Sequence, residues 1–392
     1  MERRLRFVRA ADTIRSPMIE ALRAGGPLTP AAIDAFLAAR RIPVIEDTRA
    51  TFLWRGEADA VHLVHMIFGL PTHQPFTRLP GTDLWYLTLE LPARSRVEYK
   101  IEVTRAHETA LVEDPLNPLK TRDPFGTNSV VQGDGYRTPD WVKPDPEARP
   151  GTIEELIVPS EGLKRDVRVS LYLPARFRRT RKYPLLLVHD GTDFLAYGGM
   201  RTALDNLIHR LDVAEMLVAF LHPGERLLEY ADHAGHARFL AEELTPRLER
   251  DWPLIGEPAA RGLMGASFGA IASLSAAVRH PRQFDRLMLL SGSFAFTDIG
   301  PSRRGPAFEP VVSFVNAFRR APVKVAEQVF LSCGIYESLI YENRSMLPLL
   351  QSTGMEVRYL EARDGHNWEN WRDRLRDGLS WLFPGPQWLV YE

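Results

Sequence analysis

The chain has 392 residues, too many for one typical hydrophobic core, and this length predicts two domains. Hydrophobic residues make up 45% and charged residues 25%, which are the proportions of an ordinary globular protein. The net charge of −1 gives no support for a nucleic-acid partner or a charged membrane surface. No run is apolar enough for a transmembrane helix, and the N-terminus lacks the apolar region and cleavage site of a signal peptide. We therefore expect a cytoplasmic protein with neither a nucleic-acid nor a membrane partner.

The single cysteine, Cys333, excludes an internal disulfide and fits a reducing compartment. It lies in the apolar run VFLSCG, where a small buried hydrophobe is expected. The sequence contains no H-E-x-x-H motif and no cluster of cysteine and histidine at metal-binding spacing. Catalysis is therefore expected to use no metal and no cofactor.

The N-terminal part predicts two short helices followed by a β-rich region. Apolar residues at helical spacing occupy residues 13–40, and Gly25-Gly26-Pro27 divides them into two helices. Short β-rich runs separated by turns follow from about Pro43, and this pattern predicts a small antiparallel β-sandwich. These runs are Ala50–Trp54, Ala60–Phe68, Leu84–Leu91 and Arg96–Val103.

Residues 114–151 are dense in Pro, Gly, Asp and Asn and predict an ordered connector. Its aromatic residues Phe125, Tyr136 and Trp141 are expected to anchor it. The predicted domains are therefore residues 1–150 and residues 151–392.

After residue 151 strands alternate with helices, which predicts a mostly parallel sheet with helices on both faces. The run YPLLLVH at 183–189 is almost continuously apolar, as expected for a strand that is buried on both faces. The predicted strands are 153–158, 167–173, 183–189, 216–221, 261–265, 284–290, 329–333 and 357–361, and the predicted helices include 202–211, 237–250 and 369–382. An α/β-hydrolase sheet fits this order, and ligands in such sheets bind beyond the carboxyl ends of the strands.

The segment RGLMGASFGA, residues 261–270, contains the motif G-x-S-x-G between the fifth strand of this half and a helix of small residues. This is the nucleophile-elbow pattern, in which a strained turn presents a serine, here Ser267. The flanking glycines have a steric reason, because strand and helix approach closely there and a Cβ would collide.

The base and the acid of a serine hydrolase follow the serine in this fold. His366 lies in a loop after the last predicted strand, where a general base can reach Ser267. Glu337 follows the penultimate strand and is the preferred acid, since a carboxylate there can accept the Nδ1–H of the histidine. Glu342 and Asp364 are its rivals.

The oxyanion hole needs two backbone N–H groups. One is expected from Phe268, the residue after the nucleophile, and the other from the loop His189–Asp193, where Gly191 or Thr192 would present the amide.

Several longer motifs resemble the enterochelin (enterobactin) esterase family of α/β-hydrolases, which is more distantly related to esterase D and acyltransferase-type enzymes. In the C-terminal half they are LLLVHDGTDF, ERLLEY, GASFGAIASL, LLSGSF and GHNWENWRDRL. In the N-terminal half TFLWRG, RLPGTDLWY, RVEYKIEV and DPLNP…FGTNS resemble that family's immunoglobulin-like domain. The resemblance implies a serine esterase that uses Ser267, His366 and a carboxylate.

The resemblance also suggests that Arg226, Tyr230, Trp371 and Arg372 lie near the substrate, although an ion pair or a helix surface explains the two arginines equally well. The resemblance implies a small-molecule ester as substrate. The family that the chain resembles includes enzymes that open a ferric catecholate trilactone. Such an anionic ligand would favour converging cations. The candidates are Arg165, Arg168, Arg226, Arg303, Arg304 and Arg344.

Residues 294–307 are expected to form a lid or rim loop, in which Phe294 and Phe296 either contact an acyl or aromatic group or belong to the core. The alternatives to a siderophore esterase are a general carboxylesterase, an acyltransferase with the same triad, a peptidase, and a non-catalytic or carbohydrate-binding protein. The oligomeric state is open, with a dimer through an edge strand or the sandwich as one arrangement.

Overall fold

The computed structural model describes residues 16–296 and 304–386. The chain divides into two compact units. The first comprises the chain up to Arg137 together with two short segments, Ile335–Ser338 and Ala362–Gly365, and the second comprises the remainder. Residues 138–150, which the sequence analysis assigns to the N-terminal domain, therefore belong to the second unit.

The described part of the first unit starts with two helices that have clear sequence signals. Ser16 and Thr29 each precede a proline, and their side chains accept hydrogen bonds from the N–H groups of Ile19 and Ala32. The two helices are α1 (Pro17–Ala24) and α2 (Pro30–Ala38).

Ten strands follow in the first unit and form two antiparallel sheets. They are β1 (Val44–Glu46), β2 (Arg49–Arg55), β3 (Ala60–His65), β4 (His73–Pro75), β5 (Thr77–Arg78), β6 (Leu84–Glu90), β7 (Arg96–Arg105), β8 (Glu108–Val112), β9 (Lys120–Asp123) and β10 (Gly126–Gln132). One sheet has the order β1-β2-β6-β5, and the other has the order β4-β3-β7-β10-β9 with β8 also on β7.

Side chains from both sheets share one apolar core, in which the rings of Phe52 and Tyr99 lie 5.0 Å apart. The residues of β7 alternate between buried and partly exposed, as expected where one face of a strand packs on a core. The predicted antiparallel β-sandwich is confirmed.

The connector prediction is wrong in part, because β9 and β10 lie within residues 114–151 and pair as a hairpin. Asp123 turns the chain by accepting a hydrogen bond from the N–H of Phe125. Phe125 stands at this turn with 94% of its surface exposed, so it anchors nothing. Trp141 packs partly buried against a core cluster of the second unit.

The second unit is an eight-stranded sheet with the order β11-β12-β14-β13-β15-β16-β17-β18. Its strands are β11 (Thr152–Ser160), β12 (Arg165–Leu173), β13 (Leu185–Val188), β14 (Leu217–Leu221), β15 (Arg261–Ala266), β16 (Arg286–Leu290), β17 (Gln328–Gly334) and β18 (Glu356–Ala362). The pairs β11–β12 and β12–β14 are antiparallel, and the pairs from β14 through β17 are parallel.

Ten helices accompany this sheet within the described ranges. They are α3 (Gly191–Ala196), α4 (Met200–His209), α5 (Arg226–Glu229), α6 (Ala234–Arg238), α7 (Thr245–Asp251), α8 (Phe268–Arg279), α9 (Glu309–Arg320), α10 (Ile340–Ser352), α11 (Trp368–Arg372) and α12 (Leu375–Leu382). Two separate apolar clusters divide the sheet's side chains between them, and helices belong to both. The predicted α/β-hydrolase architecture, with helices on both faces of a mostly parallel sheet, is confirmed.

Two predicted helices differ in detail. The helix predicted at 237–250 begins earlier, at Ala234, and has one π-helical segment, Phe239–Leu244, between α6 and α7. The final predicted helix is two helices, α11 and α12, separated at Asp373-Arg374. Of the helices in the described part of the chain, none has the length and apolar character needed to cross a membrane.

Candidate active site

Ser267 stands at the turn between β15 and α8, at the carboxyl end of a buried strand. Its φ of 58° and ψ of −118° place a side-chain-bearing residue in a strained backbone region. Its N–H donates to the carbonyl of Leu290 at 2.9 Å, which fixes the turn against β16. Ser267 is partly exposed although its neighbours in β15 and α8 are buried, and its Oγ lies 3.1 Å from Ser293 Oγ.

The tight turn depends on glycine at position 265. A Cβ at Gly265 would lie 2.2 Å from the carbonyl oxygen of Gly269. At that distance the two atoms clash, and a side chain could be accommodated only if the backbone moved. The steric explanation for the glycines of G-x-S-x-G is therefore confirmed at this position.

The loop after β13 lies beside the elbow. Val188 and Met264 are partners in the parallel β13–β15 pair, and the N–H of His189 donates to the carbonyl of Met264 at 2.9 Å. The first residues of α3 are Gly191 and Thr192, and the first residue of α8 is Phe268. The structure thus brings together the two backbone segments in which the oxyanion donors were predicted.

His366 lies between β18 and α11, in the loop where the sequence predicts the base. The edge of its ring faces Trp371, with 5.0 Å between the ring centroids and 88° between the planes. Trp371 is buried and donates from Nε1 to Ser291 Oγ at 2.9 Å. Ser291 directly follows Leu290, the residue that accepts the N–H of Ser267, so these contacts link the His366 loop to the elbow end of the sheet.

The three candidate acids are all buried, but they differ in their partners. Glu342 pairs with Arg304, and Asp364 lies 3.4 Å from Nη1 of Arg96. Glu337 is 2% exposed and follows the end of β17 by three residues. The two rivals are therefore each engaged by an arginine.

Arg226 forms a bidentate ion pair with Asp190, with Nε–Oδ1 and Nη2–Oδ2 distances of 2.6 and 2.7 Å. Burial acts to lower the pKa of Arg226, but the hydrogen bonds and charge of Asp190 outweigh it and raise that pKa. Tyr230 is fully buried, and its hydroxyl accepts a hydrogen bond from the N–H of Asp190 at 3.1 Å. Both residues therefore hold the loop that precedes Gly191.

The other predicted substrate contacts also have protein partners. Arg372 pairs with Asp373 at 2.8 Å. Each described arginine of the candidate cationic set pairs with a carboxylate, namely Arg165 with Glu229, Arg168 with Glu155, Arg226 with Asp190, Arg304 with Glu342 and Arg344 with Glu361. Arg303 lies outside the described residues.

The predicted rim segment 294–307 lies in part outside the described residues, which omit 297–303. Phe294 and Phe296 are buried in the core cluster that contains α8, so they take the core alternative of that prediction. Cys333 is buried and forms no disulfide, as expected.

Sequence reasoning missed a buried histidine pair behind the oxyanion loop. Nε2 of His189 lies 3.0 Å from Nε2 of His236, and its Nδ1 lies 3.1 Å from Ser273 Oγ. Burial lowers the pKa of His189 to about 4 and lowers the pKa of His236 well below its usual value, so both rings are neutral at pH 7. His222 likewise contacts Thr192 Oγ1 through Nδ1 and Ser170 Oγ through Nε2. His189 lies in the motif LLLVHDGTDF, but nothing in the sequence indicates its contact with His236, because the two residues are 47 positions apart.

Known proteins support the esterase interpretation. Residues 160–382 match the model of the family described as putative esterase, and residues 49–141 match that of the enterochelin esterase N-terminal domain. The chain is 25% identical over 384 residues to the iron(III) enterobactin esterase of Dickeya dadantii, covering 86% of this chain and 88% of the relative. It is also 25% identical over 369 residues to the iron(III) salmochelin esterase of Escherichia coli O6:H1, with the same coverage of 86% and 88%.

Among solved structures, the enterobactin esterase FES from Shigella flexneri in the presence of enterobactin has a TM-score of 0.70 to this chain at 21% identity. That match covers 89% of this chain and 97% of the other, and it shows a shared fold. The esterase model spans more than half of the chain, and the chain therefore belongs to the esterase family, as an ester hydrolase with an enterochelin-esterase N-terminal domain.

Proposed function

We propose that the chain hydrolyses carboxylic esters through a covalent acyl-enzyme formed on Ser267. The observation that carries this proposal is the strained, partly exposed serine between β15 and α8, since that geometry presents a hydroxyl at the carboxyl end of the sheet. Ser267 Oγ attacks the ester carbonyl while His366 accepts its proton. His366 then donates that proton to the leaving alcohol, and an activated water releases the acid.

Glu337 is the proposed acid of this triad. Its burial and its place three residues beyond the end of β17 support this choice. A carboxylate on Nδ1–H holds the imidazole in the required tautomer and stabilises the imidazolium that forms.

The proposed oxyanion hole consists of the N–H of Phe268 and an N–H from Gly191 or Thr192. The pairing of β13 with β15 supports this assignment, because it brings the two loops side by side. Preorganised amides of this kind stabilise the negative charge that develops on the carbonyl oxygen.

We propose a siderophore ester of the ferric catecholate type as substrate, and the cytoplasm as the location. Two observations support this substrate. The two parts of the chain match the esterase model and the enterochelin esterase N-terminal model. Two relatives of the chain are an iron(III) enterobactin esterase and an iron(III) salmochelin esterase. Iron would then be part of the substrate.

One observation favours a second candidate, a carboxylesterase for less anionic esters. The five described arginines of the candidate cationic set are each paired with a carboxylate, which reduces the positive charge available to a polyanionic ligand. Under this alternative the same triad would act on simple acyl esters.

The test compares p-nitrophenyl esters of short and long acyl chains with ferric and iron-free catecholate lactones. Ser267→Ala is expected to lower turnover by about 10⁴-fold or more, whereas Ser352→Ala, at an exposed position in α10, should leave it unchanged. Faster cleavage of the lactone supports the siderophore esterase, and cleavage of simple esters alone supports the second candidate.

Two further assays address the remaining classes. An added alcohol acceptor that captures the acyl group would indicate an acyltransferase. Failure of a fluorophosphonate to label Ser267, together with no turnover of any ester, would contradict the hydrolase proposal and favour a binding protein.

A further inference from the structure

The N-terminal sandwich encloses a cavity of about 210 Å³ between its two sheets. Its walls are largely aliphatic and aromatic side chains, including Phe52, Leu63, Leu89, Val97, Tyr99 and Val131. Every described lining residue belongs to the first unit, and Ser267, His366 and Glu337 are not among them.

One polar side chain in the wall has an unused hydrogen-bonding group. His65, the last residue of β3, is 2% exposed, and its Nδ1 accepts a hydrogen bond from the N–H of Ile67 at 3.2 Å. The neutral imidazole therefore carries its proton on Nε2. That buried Nε2 has no hydrogen-bond partner among the described residues. An unsatisfied buried donor is unfavourable, and its presence in a cavity wall suggests an acceptor that occupies the cavity.

Two other polar side chains in the wall, Tyr99 and Gln74, form hydrogen bonds with the protein. The Tyr99 hydroxyl donates to Asp114 Oδ2 at 2.6 Å and accepts from Asn117 Nδ2 at 2.9 Å. Gln74 Nε2 donates to the carbonyl of Pro71 at 3.0 Å. The His65 Nε2–H is therefore the donor best placed to orient a molecule inside an otherwise apolar space.

The charge of the site selects against an anion. Burial lowers the pKa of His65 to about 4, so the ring is neutral at pH 7. Among the described residues, no lysine or arginine lines the cavity, and Glu90 adds a negative charge at an exposed position of the wall. A carboxylate would be buried without a counter-charge, which is unfavourable.

The size of the cavity limits the ligand. An apolar cavity of about 150 Å³ holds benzene. The present volume therefore suits one aromatic ring with a short acyl substituent.

We propose that the N-terminal sandwich binds a small neutral aromatic ketone, ester or amide, whose carbonyl oxygen accepts a hydrogen bond from His65 Nε2. This would be a second ligand site, since it shares no lining residue with the proposed triad or oxyanion hole. Pro71 and Glu90, both exposed, mark its entrance.

Acetophenone is the probe, and α-methylstyrene, which replaces the carbonyl oxygen by a CH₂ group, is its matched control. Binding to the full chain is measured by calorimetry and by ligand-observed NMR, and a crystal soaked with acetophenone locates it. Wild type is expected to bind acetophenone roughly three- to tenfold more tightly than α-methylstyrene, the difference made by one neutral hydrogen bond. His65→Leu should abolish that preference while it keeps an apolar wall.

Ala50→Leu, which adds side-chain volume at a buried position of the same wall, should abolish binding of both molecules even if His65→Leu folds poorly. Ser267→Ala should bind acetophenone as wild type does, because that serine belongs to the other unit. Equal affinity of wild type for the two probes, or crystal density in which only water contacts His65 Nε2, would overturn the proposal.

Discussion

Substitution of Arg226 by methionine tests the role of the ion pair before the proposed oxyanion loop. The Asp190 side chain is 2% exposed and depends on Arg226 for two charge-assisted hydrogen bonds. Loss of one partner of a buried pair costs about 3–5 kcal/mol, because the remaining charge is uncompensated. Since Arg226 is itself 33% exposed, water can enter beside Asp190, and we expect about 3 kcal/mol, at the lower end of that range.

This loss corresponds to a fall of about 6–12 °C in the unfolding midpoint of a domain of this size. Urea and thermal unfolding followed by tryptophan fluorescence measure it. Arg247→Met is the matched control, since Arg247 pairs with Asp251 on α7 with both side chains well exposed, and its loss should cost less than about 1 kcal/mol. The double variant Asp190→Asn/Arg226→Met should recover part of the stability, because it removes the uncompensated charge.

Kinetics on a p-nitrophenyl ester distinguish this structural role from substrate binding. We expect kcat to fall for Arg226→Met, since the displaced Asp190 directly precedes Gly191 of the proposed oxyanion hole. A variant as stable as Arg247→Met, with a raised KM and an unchanged kcat, would refute the reasoning and make Arg226 a substrate contact.

Three further predictions concern Gly265, His65 and Arg96. Gly265→Ala should cost about 3 kcal/mol or more and lower esterase activity, because its Cβ would lie 2.2 Å from the Gly269 oxygen; a wild-type unfolding curve with full activity would contradict this. In the folded state the pKa of His65 is lowered to about 4. As the pH drops below 6.5, the unfolded state therefore binds a proton that the folded state does not. The free energy of unfolding should decrease by up to about 3 kcal/mol between pH 6.5 and 4. Denaturant titrations of the N-terminal transition should show a smaller decrease in His65→Leu, and an identical pH dependence would argue against a neutral buried ring. Arg96→Met removes the cation beside Asp364, two residues before the proposed base, and should lower kcat about tenfold and shift the pH–rate profile, whereas an unchanged profile would exclude a positioning role.

Local patterns in the sequence were sufficient to predict much of the fold. The apolar run 183–189 predicts a strand buried on both faces, and β13 is such a strand. Gly265 could be explained sterically from the motif alone, because a close strand–helix approach excludes a Cβ there. The positions of Ser267 and His366 at strand ends follow from chain order in this fold.

The prediction failed where turn composition and strand composition overlap. Residues 114–151 contain so many Pro, Gly, Asp and Asn residues that they predict a connector, yet β9 and β10 form there. Besides its hairpin partner β9, β10 pairs with β7, which is a contact between residues 30 to 36 positions apart along the chain. Pairing of this range leaves no local signal, since the composition of β10 itself is weakly β-forming.

By itself the sequence determined the α/β-hydrolase pattern, the elbow and the loop that carries the proposed base, because each depends on residues close together in the chain. Only the tertiary structure decided which charges are already paired: Arg226 with Asp190, Arg304 with Glu342, and Arg96 with both Glu98 and Asp364. It also decided that His65 faces an apolar cavity with an unused N–H. The physical reason is that a formal charge or a polar atom is visible in the sequence, whereas its solvation and its partners arise only when distant segments pack together.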